Sequence, residues 1–291
     1  MAEEPTCDIP AEEQEAAWAR VRAESEGVRC GLETRVHPPA VLLHSWDGYQ
    51  RFWGPALYYG ALNLPVGVPR FFVSEAYPVD SNGFAPLLTG TGSFAARLLR
   101  ASEELEGRGF RYVFYLQEDH WLIQHFAAST LEELVDFMES ERLVTIKLGR
   151  ASFWWSDIEK IRKECGWVGE SGWGSRLRWF GPHWYGMAHH VCLFQLRFLI
   201  ETLQVAIHFQ QERPLQHEII TSDYMRSRMK QFSEDDKSIR VAVWDEEPVV
   251  EYVHAGDCGN LTDEGALRLK ADGIDHLYAP QIAGEVFPEA R

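Results

Sequence analysis

The chain has 291 residues, 45% of them hydrophobic and 25% charged, so it is long enough to bury a large core and suits one big α/β domain better than several small ones. A formal net charge of -16 repels polyanions and argues against a nucleic-acid or anionic-membrane partner. The five scattered cysteines form no CxxC pair, the acidic N-terminus is unlike a secretory signal, and no apolar run approaches the roughly 18 residues of a membrane span, which together point to reduced thiols, no integral membrane segment and a cytoplasmic location.

Residues 1–37, rich in Glu, Ala and Arg, read as a helical or flexible arm ending at Pro38-Pro39, and residues 38–291 as a single domain with halves 38–150 and 151–291. Ala40 to His44 predicts a buried strand that ends in the polar turn Ser45-Trp46-Asp47-Gly48. Tyr49 to Leu62 has helical spacing, and Arg70 to Ser74 predicts a second strand. Gly90-Thr91-Gly92-Ser93 leads into a helix over Phe94 to Leu105, with Ser93 as its cap. Tyr112 to Leu116 is a continuous apolar run of the kind found in a doubly covered strand, and it stops abruptly at Gln117-Glu118-Asp119-His120. Ser129 and Glu132 have capping-box spacing for a helix over Thr130 to Glu139, and Leu143 to Leu148 predicts a further strand. Strands alternating with helices imply a mainly parallel sheet flanked by helices. Ala151 to Tyr185, crowded with Trp, Gly, Ser and Arg, reads as long loops or short antiparallel pieces, where a substrate pocket would be elaborated. Val191 to Gln204 and His217 to Lys230 predict helices, Ile239 to Val243 and Val249 to Val253 strands, and Asp263 to Asp272 a last helix, so the C-terminal half is expected to be largely helical.

Ligands in open α/β sheets bind beyond the carboxyl ends of the strands, which singles out Asp47, Glu75 and the Glu118-Asp119 pair. Two adjacent carboxylates at a strand end suit a hard cation such as Mg²⁺ or Mn²⁺ shared with substrate phosphates; they suit a solvated turn as well. His254, after an apolar run, either completes such a metal site or caps its strand through hydrogen bonds. The Gly90–Ser93 turn offers backbone N–H groups to a phosphate or simply starts a helix, and it is no Walker loop because Phe94 stands where the lysine would be. Arg97 fits either a phosphate or pyrimidine contact or a surface charge. Glu218 is a candidate general base or, equally simply, a carboxylate near a helix start. Trp154, Trp155, Trp167, Trp173, Trp179 and Trp184 offer sugar-stacking faces or core volume. Zinc hydrolase and serine hydrolase chemistry lack their HExxH and G-x-S-x-G spacings.

Taken in order, VLLHSWDGYQRFW (41–53), TGTGSFAARLLRASEEL (89–105), YVFYLQEDHWL (112–122), HVCLFQLRFLIETL (190–203) and ERPLQHEI (212–219) resemble a group of bacterial and viral glycosyltransferases with the GT-A, Rossmann-like fold. The resemblance implies a nucleotide-sugar-binding half (38–150) and an acceptor-binding half (151–291). Ser45 and Asp47 would lie on the segment lining the nucleotide base, and Arg97 near the donor. Glu118 and Asp119 would stand in for the metal-binding Asp-x-Asp, and Glu218 for the base. The expected partners are a nucleotide diphosphate sugar and a hydroxyl-bearing acceptor, with Mn²⁺ or Mg²⁺ as cofactor and inversion at the sugar. Leu215 stands where the group usually has Trp, and Gln117 and His120 flank the acids where a second spaced carboxylate is usual. A non-catalytic sugar or nucleotide-sugar binding protein on the same scaffold is the alternative expectation.

Overall fold

A computed structural model describes residues 39–141, 143–150, 189–217, 219–221, 249–257 and 259–278, the strands at 167–170, 177–180 and 240–244, and isolated positions between 10 and 19. The arm expected over 1–37 and the Trp-rich segment therefore lie largely outside the described residues.

From residue 39 onward the elements are β1 (Ala40–His44), α1 (Gln50–Asn63), β2 (Arg70–Ser74), β3 (Phe84–Leu88), α2 (Phe94–Gly107) and β4 (Tyr112–Gln117). A short β5 (His120–Leu122) precedes α3 (Ala128–Glu141), β6 (Leu143–Lys147) and β7 (Gly149–Arg150). After β8 (Trp167–Glu170) and β9 (Leu177–Phe180) come β10 (Cys192–Gln195), α4 (Leu196–His208), β11 (Arg240–Trp244) and β12 (Val250–His254). The hairpin β13 (Gly256–Asp257) and β14 (Asn260–Leu261) leads into α5 (Asp263–Asp272).

The main sheet has the order β3-β2-β1-β4-β10-β6-β11-β9-β8. Across its first six strands only β10 runs against the rest, antiparallel to both β4 and β6, so the fold is α/β with a mainly parallel mixed core flanked by helices. All five residues of β1 are buried, as its unbroken apolar run requires of a strand covered on both faces. Pro86 is tolerated in β3 because that strand is an edge, where the missing N–H breaks no ladder. α1 packs so tightly that a Cβ on Gly54 would lie 2.5 Å from the Leu277 carbonyl oxygen. α2 starts at the expected cap, the Ser93 hydroxyl accepting from the Ala96 N–H at 3.1 Å. It packs against α4.

One expectation needs correction. Val191 to Gln204 is not one helix: β10 occupies its first part as a central strand, and only then does α4 begin. In the C-terminal half the described helical residues, at 196–208, 214–217, 219–221 and 263–272, stand beside strands β8 to β14. A buried strand and a buried helix both present continuous apolar residues, so VCLFQLRFLI carries no period that separates them. The helix expected over His217 to Lys230 begins earlier, at 214, and most of it lies outside the described residues.

Candidate functional site at the carboxyl ends of β1 and β4

In a doubly wound sheet the order reverses between two neighbouring strands, and a crevice opens at their carboxyl ends. Here β1 is followed on one side by β2 and β3 and flanked on the other by β4, which places that crevice beyond His44 and Gln117. A cavity of about 540 Å³ lies there, a volume typical of small-molecule sites. His44, Ser45, Trp46 and Tyr49 line it from the β1 side, and Gln117, Glu118 and Asp119 from β4. Phe94 and Arg97 of α2 and Arg213 and Pro214 complete the wall. A second cavity of about 360 Å³ opens at the other end of the sheet beside Arg111 and Glu139, without a carboxylate pair or a histidine.

The turn between β4 and β5 is held rigidly. The Trp121 indole N–H donates to the Glu118 carbonyl at 3.0 Å, and the Gln117 side chain donates to the His189 carbonyl at 2.6 Å. β5 pairs antiparallel with β12 in a register that sets His120 opposite His254, and the Ala255 N–H donates to the Asp119 carbonyl at 2.7 Å. Nonlocal pairing thus gathers Asp119, His120 and His254 into one cluster whose donor atoms all lie within 4.8 Å of one another. His254 Nε2 is 3.4 Å from Asp119 Oδ2, and His120 Nε2 is 3.7 Å from Oδ1. A Cβ on Gly256 would lie 2.9 Å from both Cβ and Oδ2 of Asp119, so only glycine admits the carboxylate there.

Burial pushes the Asp119 carboxyl upward, but His120 and His254 outweigh it and hold the group below its ordinary value, as an anion. Its Oδ1 is buried and accepts no hydrogen bond among the described residues. An orphaned carboxylate oxygen facing two imidazoles fits a divalent cation. His254 reaches Asp119 directly. His120 is the third donor, and a cation at its Nε2 would displace the long 3.3 Å bond that Nδ1 accepts from the Gln117 N–H, because a ligating imidazole carries its proton on the other nitrogen. Burial lowers His120 to about 3, which keeps the ring neutral.

The remaining expected residues divide. Glu118 lines the cavity but lies outside the three-donor cluster; burial, reinforced by the Asp119 charge, pushes its carboxyl well above the ordinary value. Ser45 lines the cavity and accepts the Trp53 indole N–H at 2.7 Å. Asp47 does not line it: its carboxylate accepts from the N–H groups of Glu75 and Ala76 at 2.9 and 3.1 Å and ties the end of β1 to the end of β2. Arg97 lines the cavity, with Nη1 held by Glu75 at 3.1 Å and the Gly92 carbonyl at 2.9 Å. Trp46 lies beneath the same guanidinium, 5.6 Å from ring centroid to Cζ. At the Gly90–Ser93 turn and the helix start that follows, the N–H groups of Gly90, Ala95 and Ala96 are taken by the Glu75 carbonyl at 3.0 Å, the Glu212 carbonyl at 3.1 Å and the Ser93 hydroxyl at 3.1 Å. Glu218 lies outside the described residues. His120, His44 and Arg213 were not singled out by the sequence as site residues; the Asp-His dipeptide at a strand end was the available signal for the first, and the other two had none. No protein-family model matches this chain, and no curated protein is a match to it.

Proposed function

We propose that the chain is a glycosyltransferase of the GT-A kind, moving a sugar from a nucleotide diphosphate to an acceptor hydroxyl. The observation that carries this reading is an ionised, partly unsatisfied Asp119 grouped with His254 and His120 at the crevice where the sheet order reverses. A cavity of about 540 Å³ gives room for a nucleotide sugar beside it.

Asp119, His254 and His120 would hold the cation. Two imidazoles among three donors favour Mn²⁺ over Mg²⁺, which prefers an all-oxygen shell. When bound, such an ion supplies a Lewis acid beside the diphosphate oxygens. Arg97, fixed by Glu75, and Trp46 beside it form a rigid wall for the donor.

In the transfer the bond from the anomeric carbon to the diphosphate oxygen breaks, and its electron pair goes to that oxygen. The acceptor oxygen bonds to the carbon from the opposite face, and its proton passes to a carboxylate, the role assigned to Glu218. A single displacement inverts the sugar.

The test is hydrolysis and transfer with a panel of nucleotide sugars. Asp119→Asn and Glu218→Gln are each expected to lower the rate by about a hundredfold or more. Full activity in both variants would overturn the assignments. Donor binding by the wild type without turnover would favour a non-catalytic sugar-binding protein.

A further inference from the structure

We infer that Arg213 is the residue that grips the anionic, diphosphate part of the ligand from across the crevice; this rests on the transferase reading above and extends it to a residue outside the strand-end motif. The cavity wall carries two arginines, Arg97 and Arg213. Arg97 has its Nη1 shared between the Glu75 carboxylate and the Gly92 carbonyl, while its buried Nε has no hydrogen-bond partner among the described residues. Arg213 has an exposed side chain and no ion pair among the described residues. An exposed arginine is ordinarily a mobile, solvated charge of little consequence.

The backbone at Arg213 is not ordinary. On one side, the Glu212 carbonyl accepts the Ala95 N–H at 3.1 Å, and the Glu212 carboxylate takes the Ser93 hydroxyl, so the segment is fastened to the start of α2. On the other side, the Arg213 carbonyl accepts the His217 N–H at 3.0 Å, and the Arg213 N–H donates to the Gln216 side chain at 3.2 Å. The His217 ring is buried and bonded at both nitrogens, to His189 at 2.6 Å and to Thr202 at 2.9 Å. Thr202 donates its own proton to the Leu199 carbonyl at 2.9 Å, so it accepts from His217 Nε2–H. His217 Nδ1 then accepts, and His189 Nε2–H donates to it, which fixes one proton order along the chain. The His189 carbonyl in turn holds Gln117, the residue before the acid pair.

Arg213 is therefore presented from a backbone locked to α2, α4 and the β4 turn, on the wall of the cavity that Asp119 also lines. Its backbone is fixed, so the side chain starts from a defined point on the cavity wall, and its planar guanidinium fork matches phosphate oxygens. As the anomeric carbon leaves, the electron pair of its bond to oxygen adds charge to the diphosphate, and Arg213 is placed to balance it.

The experiment is calorimetric binding of inorganic pyrophosphate to the full chain in the presence of Mn²⁺, with Mn²⁺ affinity measured separately. Arg213→Ala is expected to weaken pyrophosphate about tenfold or more and leave Mn²⁺ affinity unchanged, while Arg213→Lys recovers only part of the loss. Unchanged pyrophosphate affinity in Arg213→Ala, with wild-type binding intact, would overturn the inference and leave the transferase reading standing. Absence of pyrophosphate binding in the Mn²⁺-loaded wild type would overturn both. Because the Arg213 side chain is exposed, both variants are expected to keep the wild-type melting temperature, and a melt run beside each titration checks it.

Discussion

Asp119 is caught between burial, which favours the neutral acid, and two facing imidazoles, which favour the anion; the imidazoles prevail. That balance depends on Gly256, whose missing side chain admits the carboxylate and the Phe52 ring edge, the latter 3.2 Å from where a Cβ would be. Gly256→Ala is expected to weaken Mn²⁺ binding about tenfold and to destabilise the fold by about 1–3 kcal/mol, the range for forcing a methyl into a filled site. Titration calorimetry and a urea melt read the two effects separately, and unchanged metal affinity would show that Asp119 tolerates displacement. His254→Ala and His120→Ala are each expected to reduce Mn²⁺ affinity about tenfold or more in the same titration, because each ring offers the cluster one donor atom. Unchanged affinity in either variant would remove that ring from the site. Asp119 and His254 were legible because each stands directly after an apolar strand. His120 was not, since its place in the cluster comes from the β5–β12 register, a pairing across more than a hundred residues that no local pattern announces.

At the scale of elements, close approach rather than propensity sets the architecture around the crevice. α1 carries Gly54 against the 3-10 turn Asp275–Leu277, where a Cβ would meet a backbone oxygen at 2.5 Å and no side-chain rotation can relieve the clash. Gly54→Ala is therefore expected to destabilise by about 1–3 kcal/mol despite alanine's better helix propensity. A denaturant midpoint at or above the wild-type value would show that α1 shifts freely on its neighbours. Ser93→Ala removes both the α2 cap and the anchor for Glu212, so the expected loss, about 1–2 kcal/mol in the same melt, exceeds that of an isolated cap at the upper end. The boundaries of α5 could be read directly, because Thr262 caps its start and Gly273, at φ 68°, ends it in the left-handed conformation. Strands β3 and β5 escaped notice for opposite reasons: Pro86 argues against a strand unless it is an edge, and three residues are too few to show a period. The antiparallel β10, inserted between β4 and β6, could not be distinguished from the start of α4 by composition.

Across the whole molecule, the alternation of strands and helices was enough for the α/β class, but the strand order, and with it the crevice, is a property of the assembled sheet. Its interior holds many neutral histidines. Burial lowers His44, His120 and His217 to about 3, and pushes His189 and His190 well below the ordinary value. Between about 3 and the ordinary value of 6.5 the unfolded chain binds these protons and the folded one does not, so unfolding takes up protons and stability falls as pH drops through that window. Glu118, raised by burial, acts in the opposite sense, but it is one group against five. The metal-free protein is expected to lose at least about 5 °C of melting temperature between pH 7 and pH 5, and a flat profile would mean that these rings are not buried and neutral. The most direct test of the central claim is anomalous diffraction at the manganese edge from a crystal soaked with Mn²⁺ and a uridine or guanosine diphosphate. The account predicts one peak among Asp119, His120 and His254 with the diphosphate beside it; a peak elsewhere, or a nucleotide bound away from these residues, would contradict it.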